Sequence, residues 1–87
     1  MSSYHLDTSA TAQKEIDALP DAVVSRVDDK IKSLAYNPRP PACTKLKGYK
    51  DLWRVRVGDW RVLYLIDDQD KRVSVVRVKH RREVYEP

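Results

Sequence analysis

The stretch LWRVRVGDWRVLYLI, residues 52–66, combines two runs of β-branched and aromatic residues around one short polar break. That break is Gly58-Asp59, a pair suited to the two-residue turn of a β-hairpin. If the flanking residues close the turn, Arg56 lies opposite Arg61. The remaining pairs are then Val57 with Trp60, Val55 with Val62, Arg54 with Leu63, and Trp53 with Tyr64. The sequence therefore predicts one antiparallel hairpin in a fixed register.

The two faces of this hairpin differ in character. Because directly opposed residues point to the same side of a sheet, one face is apolar. It comprises Trp53, Val55, Val57, Trp60, Val62, Tyr64 and Ile66. The other face carries Arg54, Arg56 and Arg61 on adjacent rows, where three guanidiniums repel one another. Folding alone does not favour that arrangement, so we expect a polyanionic ligand above it.

The residues before the hairpin predict a short strand followed by a helix. The alternation of residues 4–7 is typical of a strand. Thr8 or Ser9 then offers an N-cap, and apolar residues recur at helical spacing as far as Leu19-Pro20. Since proline disrupts a helix interior, we expect the first helix to end there.

A second helix is predicted directly after that proline. Asp21 can cap it, and Asn37-Pro38 ends it. Its apolar stripe comprises Val24, Val27, Ile31, Leu34 and Ala35. The joint between the two helices is so short that they should form an antiparallel helical hairpin on the sheet.

A third long strand is predicted to run from Arg72 to Lys79 after an acidic turn. A five-residue loop pairs Ile66 with Arg72, which places Arg77 opposite Arg61. That register extends the basic face to Arg77 and Lys79 and interleaves it with Leu63, Leu65, Val73 and Val75. A slip of one residue would send both cations to the other side of the sheet.

Together these elements predict an α+β fold (an α/β sandwich) in a single domain over residues 1–87. An N-terminal strand precedes a helical hairpin, which packs on a small, mainly antiparallel sheet of about four strands. Residues 39–50 are expected to form a loop. No apolar run reaches membrane-spanning length and the N-terminus lacks a signal-peptide segment, so a cytoplasmic protein without membrane contact is expected.

Charge is distributed unevenly along the chain. Residues 1–37 hold four basic and six acidic side chains, whereas residues 38–87 hold thirteen basic and seven acidic ones. The second half, with a net charge of +6, points to phosphates or to an acidic partner. The alternative interpretation of the net charge is an ordinary solvated surface.

Most classes of catalysis lack their residues in this sequence. One cysteine and two histidines make neither a disulfide nor a zinc site, and no glycine-rich phosphate loop or Ser-His-Asp set is recognisable. We therefore expect no metal and no cofactor. One reaction suited to a basic site is the transesterification of RNA by its own 2′-hydroxyl, which requires orientation, charge stabilisation and two proton transfers. Arginine suits the charge because its guanidinium matches phosphate oxygens.

Two segments outside the predicted sheet are further candidates. Lys45 and Lys47 in the connecting loop could touch a nucleic-acid backbone, or the loop could be a solubilised connector with Leu46 in the core. The tail after the third strand reads HRREVY, residues 80–85. Because it leaves the sheet beside the basic face, a functional role is favoured over simple fraying.

The combination of these motifs resembles the RelE/ParE toxin superfamily of bacterial toxin–antitoxin systems. The matching features are the helical hairpin, Asn37-Pro38, KLKG at residues 45–48, WRVRVGDWRVLY at 53–64, and HRREVY at 80–85. They follow the family's order and spacing over nearly the whole chain. The resemblance implies a compact toxin with two helices on a small sheet. RelE-type members cleave mRNA in the ribosomal A site, and a cognate antitoxin holds them inactive.

Carried over residue by residue, the resemblance implies an active site built from the hairpin and the tail. The catalytic candidates are Arg54, Arg56, Arg61, His80, Arg81 and Tyr85. RelE-type toxins have lysines at the positions of Arg54 and Arg56, and arginine cannot act as a base as a crowded lysine can. These two are therefore expected to bind phosphate, with His80 as the first candidate for the base and Tyr85 as the second. His80 could instead stack or hydrogen-bond to the tail backbone.

The same interpretation names further contacts and partners. The RNA-binding candidates are Lys45, Lys47, Arg77, Lys79 and Arg82. The implied partners are an acidic, RelB-like antitoxin, the ribosome with its mRNA, and promoter DNA only through the antitoxin. One alternative is a ParE-like toxin that inhibits DNA gyrase without nuclease activity, and another is a binding module whose arginines only position phosphates. The complete basic and aromatic set favours the nuclease.

Overall fold

The computed structural model describes residues 3–83, in which two helices pack against one sheet. The strands are β1 (His5–Thr8), β2 (Thr44–Lys45), β3 (Leu52–Val57), β4 (Trp60–Asp67) and β5 (Arg72–His80). The helices are α1 (Ala10–Asp17) and α2 (Asp21–Leu34), and a 3-10 helix, Arg81–Glu83, follows β5. The sheet order is β1-β5-β4-β3-β2, with β1 parallel to β5 and the other pairs antiparallel. The α+β prediction is confirmed, and β2 is a fifth strand within the segment predicted as a loop.

The β3–β4 hairpin has the predicted register throughout. The pairs are Val57 with Trp60, Arg56 with Arg61, Val55 with Val62, Arg54 with Leu63, and Trp53 with Tyr64. Gly58 begins the turn with φ +59°, a conformation that suits the first central residue of a type II′ hairpin turn and that glycine adopts without steric cost. The face predicted as apolar packs against the helices, and Val55, Val62 and Tyr64 are fully buried there.

The helical hairpin covers that apolar face as expected. Ser9 is the N-cap of α1, and its hydroxyl accepts a hydrogen bond from the backbone N–H of Ala12 at 3.0 Å. The prediction that Asp21 caps α2 was wrong, because Pro20 occupies the N-cap position and Asp21 is the first helical residue. α2 buries Val27, Ile31 and Leu34 against the sheet. Neither helix in the described residues is long and apolar enough to cross a membrane.

The pairing of β4 with β5 differs from the prediction. Ile66 pairs with Val73 rather than with Arg72, and a bulge shifts the register where Tyr64 pairs with Val75 but Leu63 pairs with Arg77. The one-residue difference at Ile66 moves Val73 and Val75 from the predicted basic face into the core, where both are fully buried. The bulge then restores Arg77 and Lys79 to the same face as Arg61.

The bulge is explained by the spacing of the buried valines in β5. Val73, Val75 and Val78 are all in the core, and the three-residue step between the last two cannot share one face of a regular strand. Ser9 supports the irregular backbone, since its N–H bonds to the carbonyl of Val75 at 2.9 Å and its hydroxyl donates to that of Val76 at 3.1 Å. Core packing therefore sets where the cations of β5 point.

Candidate functional site

The open face of the sheet, which lies away from the helices, carries an arginine cluster that we define as Arg54, Arg56, Arg61 and Arg81. The β3–β4 hairpin positions the first three, since Arg56 is directly opposite Arg61 and Arg54 is one row further from the turn. The guanidinium of Arg61 donates to the backbone oxygens of Gly58 at 3.2 Å and of Trp60 at 3.1 Å. Those bonds hold the Arg61 side chain at the turn.

The tail brings the fourth arginine to the same place. The backbone N–H of Arg81 donates to the carbonyl of Asp59 at 2.7 Å, and its guanidinium lies 3.8 Å from the Asp59 carboxylate. The turn therefore anchors the start of the 3-10 helix that follows β5. The tail contact depends on Asp59, which sequence analysis assigned only to the turn.

The other three arginines of the cluster act electrostatically on Arg61. Partial burial lowers the pKa of Arg61, the charges of Arg56, Arg54 and Arg81 lower it further, and Asp59 opposes them. Arginine remains protonated because its ordinary pKa is above about 12. The convergence expected from the sequence is therefore present for all four guanidiniums, and the site can accept an anion with several negatively charged oxygens.

His80 lies apart from the arginine cluster. It pairs with Trp60, so its side chain leaves the sheet on the helix-facing side, and the two rings pack edge to face with centroids 5.2 Å apart. Its Nδ1 accepts a hydrogen bond from the backbone N–H of Arg82 at 3.3 Å. This is the stacking and backbone contact left open as the alternative to a general base. Arg82 itself is exposed, and Tyr85 lies outside the described residues.

At the free edge of β5, two of the RNA-binding candidates are held by a carboxylate from α1. Glu15 accepts hydrogen bonds from the backbone N–H of Val78 at 2.8 Å and from Arg77 at 3.2 Å, and it lies 3.0 Å from the ammonium of Lys79. Its partial burial would raise the pKa of Glu15, but those donors outweigh burial and lower it. Arg77 and Lys79 thus share the face of Arg61, but both pair with Glu15, and Glu83 also lies 3.7 Å from Lys79.

The loop lysines are less closely associated with the cluster. Lys45 pairs with Trp53 across β2 and β3, so it leaves the sheet on the opposite side from Arg54. Lys47 is exposed, whereas Leu46 between the two lysines is buried. Leu46 therefore anchors the loop in the core, and both lysines remain exposed.

Comparison with known proteins identifies the fold and its family. The family model described as ParE toxin of the type II toxin–antitoxin system, parDE, matches residues 6–85. A protein named Toxin RelE from Mycobacterium tuberculosis is 30% identical over 83 residues, which cover 94% of this chain and 86% of the relative. The chain belongs to the RelE/ParE toxin superfamily.

Solved RelE structures have the same architecture as this toxin. The RelE–RelB complex from Pyrococcus horikoshii matches with a TM-score of 0.82 and 30% identity, and the match covers 94% of this chain and 99% of that one. The intact RelBE toxin–antitoxin complex from E. coli matches with a TM-score of 0.78 and 28% identity over 88% and 95% of the two chains. The toxin fold therefore extends over nearly the whole sequence.

Within this toxin, two residues that shape the site were missed by sequence analysis. Glu15 looks like any solvated charge on an amphipathic helix, and it lies 62 positions from Arg77 in the chain. Arg26 likewise has the spacing of an ordinary solvated charge outside the apolar stripe of α2, yet its guanidinium lies against Gly58. No local pattern signals either contact, because both depend on how the helices are placed over the sheet. No group of three or more potential metal ligands occurs within residues 3–83.

Proposed function

We propose that this toxin is an endoribonuclease that cleaves mRNA in the A site of the ribosome. The observation that supports the proposal is the arginine cluster, where guanidiniums from β3, β4 and the tail converge on an open face of the sheet. Like charges on adjacent rows of one sheet face repel one another, so folding alone does not favour this clustering. A ribosomal substrate would place the activity in the cytoplasm.

In the proposed reaction the RNA supplies its own nucleophile. The 2′-oxygen forms a bond to the adjacent phosphorus while the bond from phosphorus to the 5′-oxygen breaks, which leaves a 2′,3′-cyclic phosphate and a 5′-hydroxyl. One proton leaves the 2′-hydroxyl and one reaches the 5′-oxygen. Arg61, flanked by Arg56 and Arg81, would stabilise the negative charge that develops on the phosphorane oxygens.

Proton transfer is assigned to the tail rather than to the cluster. Arg54 and Arg56 stay charged and cannot act as bases. His80 was the first candidate, but its contacts with Trp60 and the Arg82 backbone support a role in holding the tail. Tyr85 remains as the candidate that can exchange a proton or stack on a base.

Translating ribosomes with a defined codon in the A site provide the test. The wild-type toxin should cut the mRNA there and leave a 2′,3′-cyclic phosphate, whereas Arg61→Ala should fold but lose activity. Arg72→Ala is the matched control, because Arg72 is a guanidinium on the same face at the opposite end of the sheet and is engaged by Asp7. Uncut mRNA would reject the proposal, and trapped gyrase–DNA complexes would indicate the ParE-like alternative.

We also propose that an acidic, RelB-like antitoxin inhibits this chain by covering the basic face. The support is the fold shared with the RelE proteins of two RelE–RelB complexes and the surplus of positive charge on the open face. Promoter DNA would be bound only through that antitoxin. Co-expression with the product of the neighbouring reading frame should yield a stable complex that no longer cleaves mRNA, and an active complex would contradict inhibition.

A further inference from the structure

The hairpin turn contacts α2 through Arg26. Gly58 has no Cβ, and an ideal Cβ at that position would lie 3.1 Å from the terminal nitrogen of the Arg26 guanidinium. The α2 cation therefore lies against the bend that joins Arg56 to Arg61 in the arginine cluster.

A shallow groove lies at this contact, between α2 and the end of β3. It has a volume of about 480 Å³ and is lined by Arg26, Asp29, Lys30, Ser33, Arg56, Val57 and Gly58. Arg26 and Lys30 are four positions apart on α2 and so occupy one helix face, where like charges destabilise the helix slightly. Three cations against the single carboxylate of Asp29 leave the groove with a net charge of +2.

Arg56 connects this groove to the arginine cluster. Its charge lowers the pKa of Arg61, so it acts electrostatically within the cluster, and it also lines the groove. A strand whose scissile phosphate lies at Arg61 would meet positive charge continuously from the open face, past Arg56, to Arg26 and Lys30. Neither Arg26 nor Lys30 was a candidate in the sequence.

We propose that the groove is a second phosphate-binding site, in which Arg26 and Lys30 bind the backbone of the RNA strand beside the cleavage site. The contacts would be to phosphate and so independent of base sequence. This inference rests on the proposed function, because the strand in the groove is the RNA that the arginine cluster cleaves.

The test is the salt dependence of RNA binding by the intact toxin. The probe is a single-stranded oligouridine followed by fluorescence anisotropy. The double variant Arg26→Gln with Lys30→Gln removes two phosphate contacts and should reduce the slope of log K against log salt by about 1.4, since each contact on a single strand contributes about 0.7. The double variant Lys14→Gln with Lys32→Gln changes the net charge equally outside the groove and should leave the slope near the wild-type value.

A second measurement separates a bound strand from a general field effect. A trinucleotide has only two internucleotide phosphates, so when these are bound at the arginine cluster it should bind the groove variant and the control variant equally, and the difference should emerge as the probe lengthens. Equal losses in both variants at every length would overturn the proposal, as would an unchanged slope in the groove variant accompanied by weaker binding of the antitoxin. A wild-type toxin that binds no oligouridine would also overturn the second phosphate-binding site, whereas the proposed function is tested separately by cleavage on ribosomes.

Discussion

The β3–β4 hairpin and the free edge of β5 both present closely spaced cations on the open face of one sheet, but they differ in what surrounds those cations. At the hairpin, Arg61 is crowded by three other guanidiniums, and Asp59 opposes their effect. At the β5 edge, Glu15 pairs with both Arg77 and Lys79. A basic residue on the correct face is therefore not sufficient for a phosphate site, because a carboxylate from another element can occupy it.

The two regions should therefore have different roles in the protein. Positive charge that repels itself in the folded protein is available to stabilise a developing anion. The pairs at Glu15 instead join α1 to the part of β5 that extends beyond β1, where the Val78 N–H lacks a strand partner and uses the carboxylate. We therefore expect substitutions in the hairpin to have the larger effect on catalysis. Substitutions at the β5 edge should have the larger effect on local stability.

The largest expected effect is the loss of cleavage rate when one guanidinium is removed from the hairpin. Removal of one guanidinium from the β5 edge provides the comparison. Arg61→Ala should reduce the cleavage rate by about 10² to 10³, the range observed when one donor to a developing oxyanion is removed. Arg77→Ala should reduce it by less than about tenfold, because Arg77 is already paired with Glu15. Single-turnover cleavage on ribosomes measures both rates. Equal losses would show that Glu15 does not remove Arg77 from the site.

The next largest effect should be a gain of binding when Glu15 is neutralised. Glu15→Gln keeps an oxygen for the Val78 N–H and frees Arg77, while Lys79 keeps its contact with Glu83 at 3.7 Å, so the salt slope of RNA binding should increase by about 0.7. Asp28→Asn is the matched control, since it frees Lys32 on α2 with the same change in charge. A slope that rises equally in both variants would mean that net charge, not the β5 edge, governs binding.

Particular residues show how far the sequence determined this site. The hairpin register and its arginines were predictable because one Gly-Asp pair sets the turn and every pair beyond it. The β5 register was not, since the bulge that returns Arg77 and Lys79 to the open face depends on core packing and on two hydrogen bonds from Ser9. The alternation of apolar and polar residues along β5 does not show where packing against a distant helix requires a bulge.

His80 shows the same limit at the level of a side chain. Its residue type suits proton transfer, and the sequence places it directly before the tail. Which face it uses depends on its pairing with Trp60, a consequence of the same bulged ladder. The convergence of Arg81 with the hairpin was carried by the family resemblance, whereas the anchoring contact with Asp59 required the structure.

A smaller effect concerns acid stability at the β5 edge. The pKa of Glu15 is lowered in the folded protein, so its contribution to stability is present above its unfolded pKa of about 4.3 and is lost as pH falls through the lower folded value. Glu15→Gln should therefore reduce the free energy of unfolding by about 1 kcal/mol at neutral pH and by less in acid. Urea unfolding at several pH values measures this. Asp68→Asn provides a reference, because Arg39 and Tyr4 lower the pKa of Asp68 to about 2 and its contribution should persist to lower pH.

The smallest expected effect tests the contact between the hairpin and α2. Gly58 and Gly48 both have positive φ, at +59° and +83°, so alanine at either position should cost about 1 kcal/mol of backbone strain. Only at Gly58 does a new Cβ meet a neighbour, the Arg26 guanidinium, whereas the space around Gly48 is open to 4 Å. Because that neighbour is the flexible end of a side chain, Gly58→Ala should cost only a few tenths of a kcal/mol more than Gly48→Ala.

Urea unfolding of both alanine variants, alone and with Arg26→Ala, isolates that difference as a coupling energy. Removing the Arg26 side chain should bring the two costs together. RNA binding supplies the functional counterpart, since displacement of Arg26 by the Gly58→Ala methyl group should weaken binding of long oligouridine while Gly48→Ala does not. A difference that persists without Arg26 would mean that the hairpin itself, rather than its contact with α2, makes the turn intolerant of a side chain.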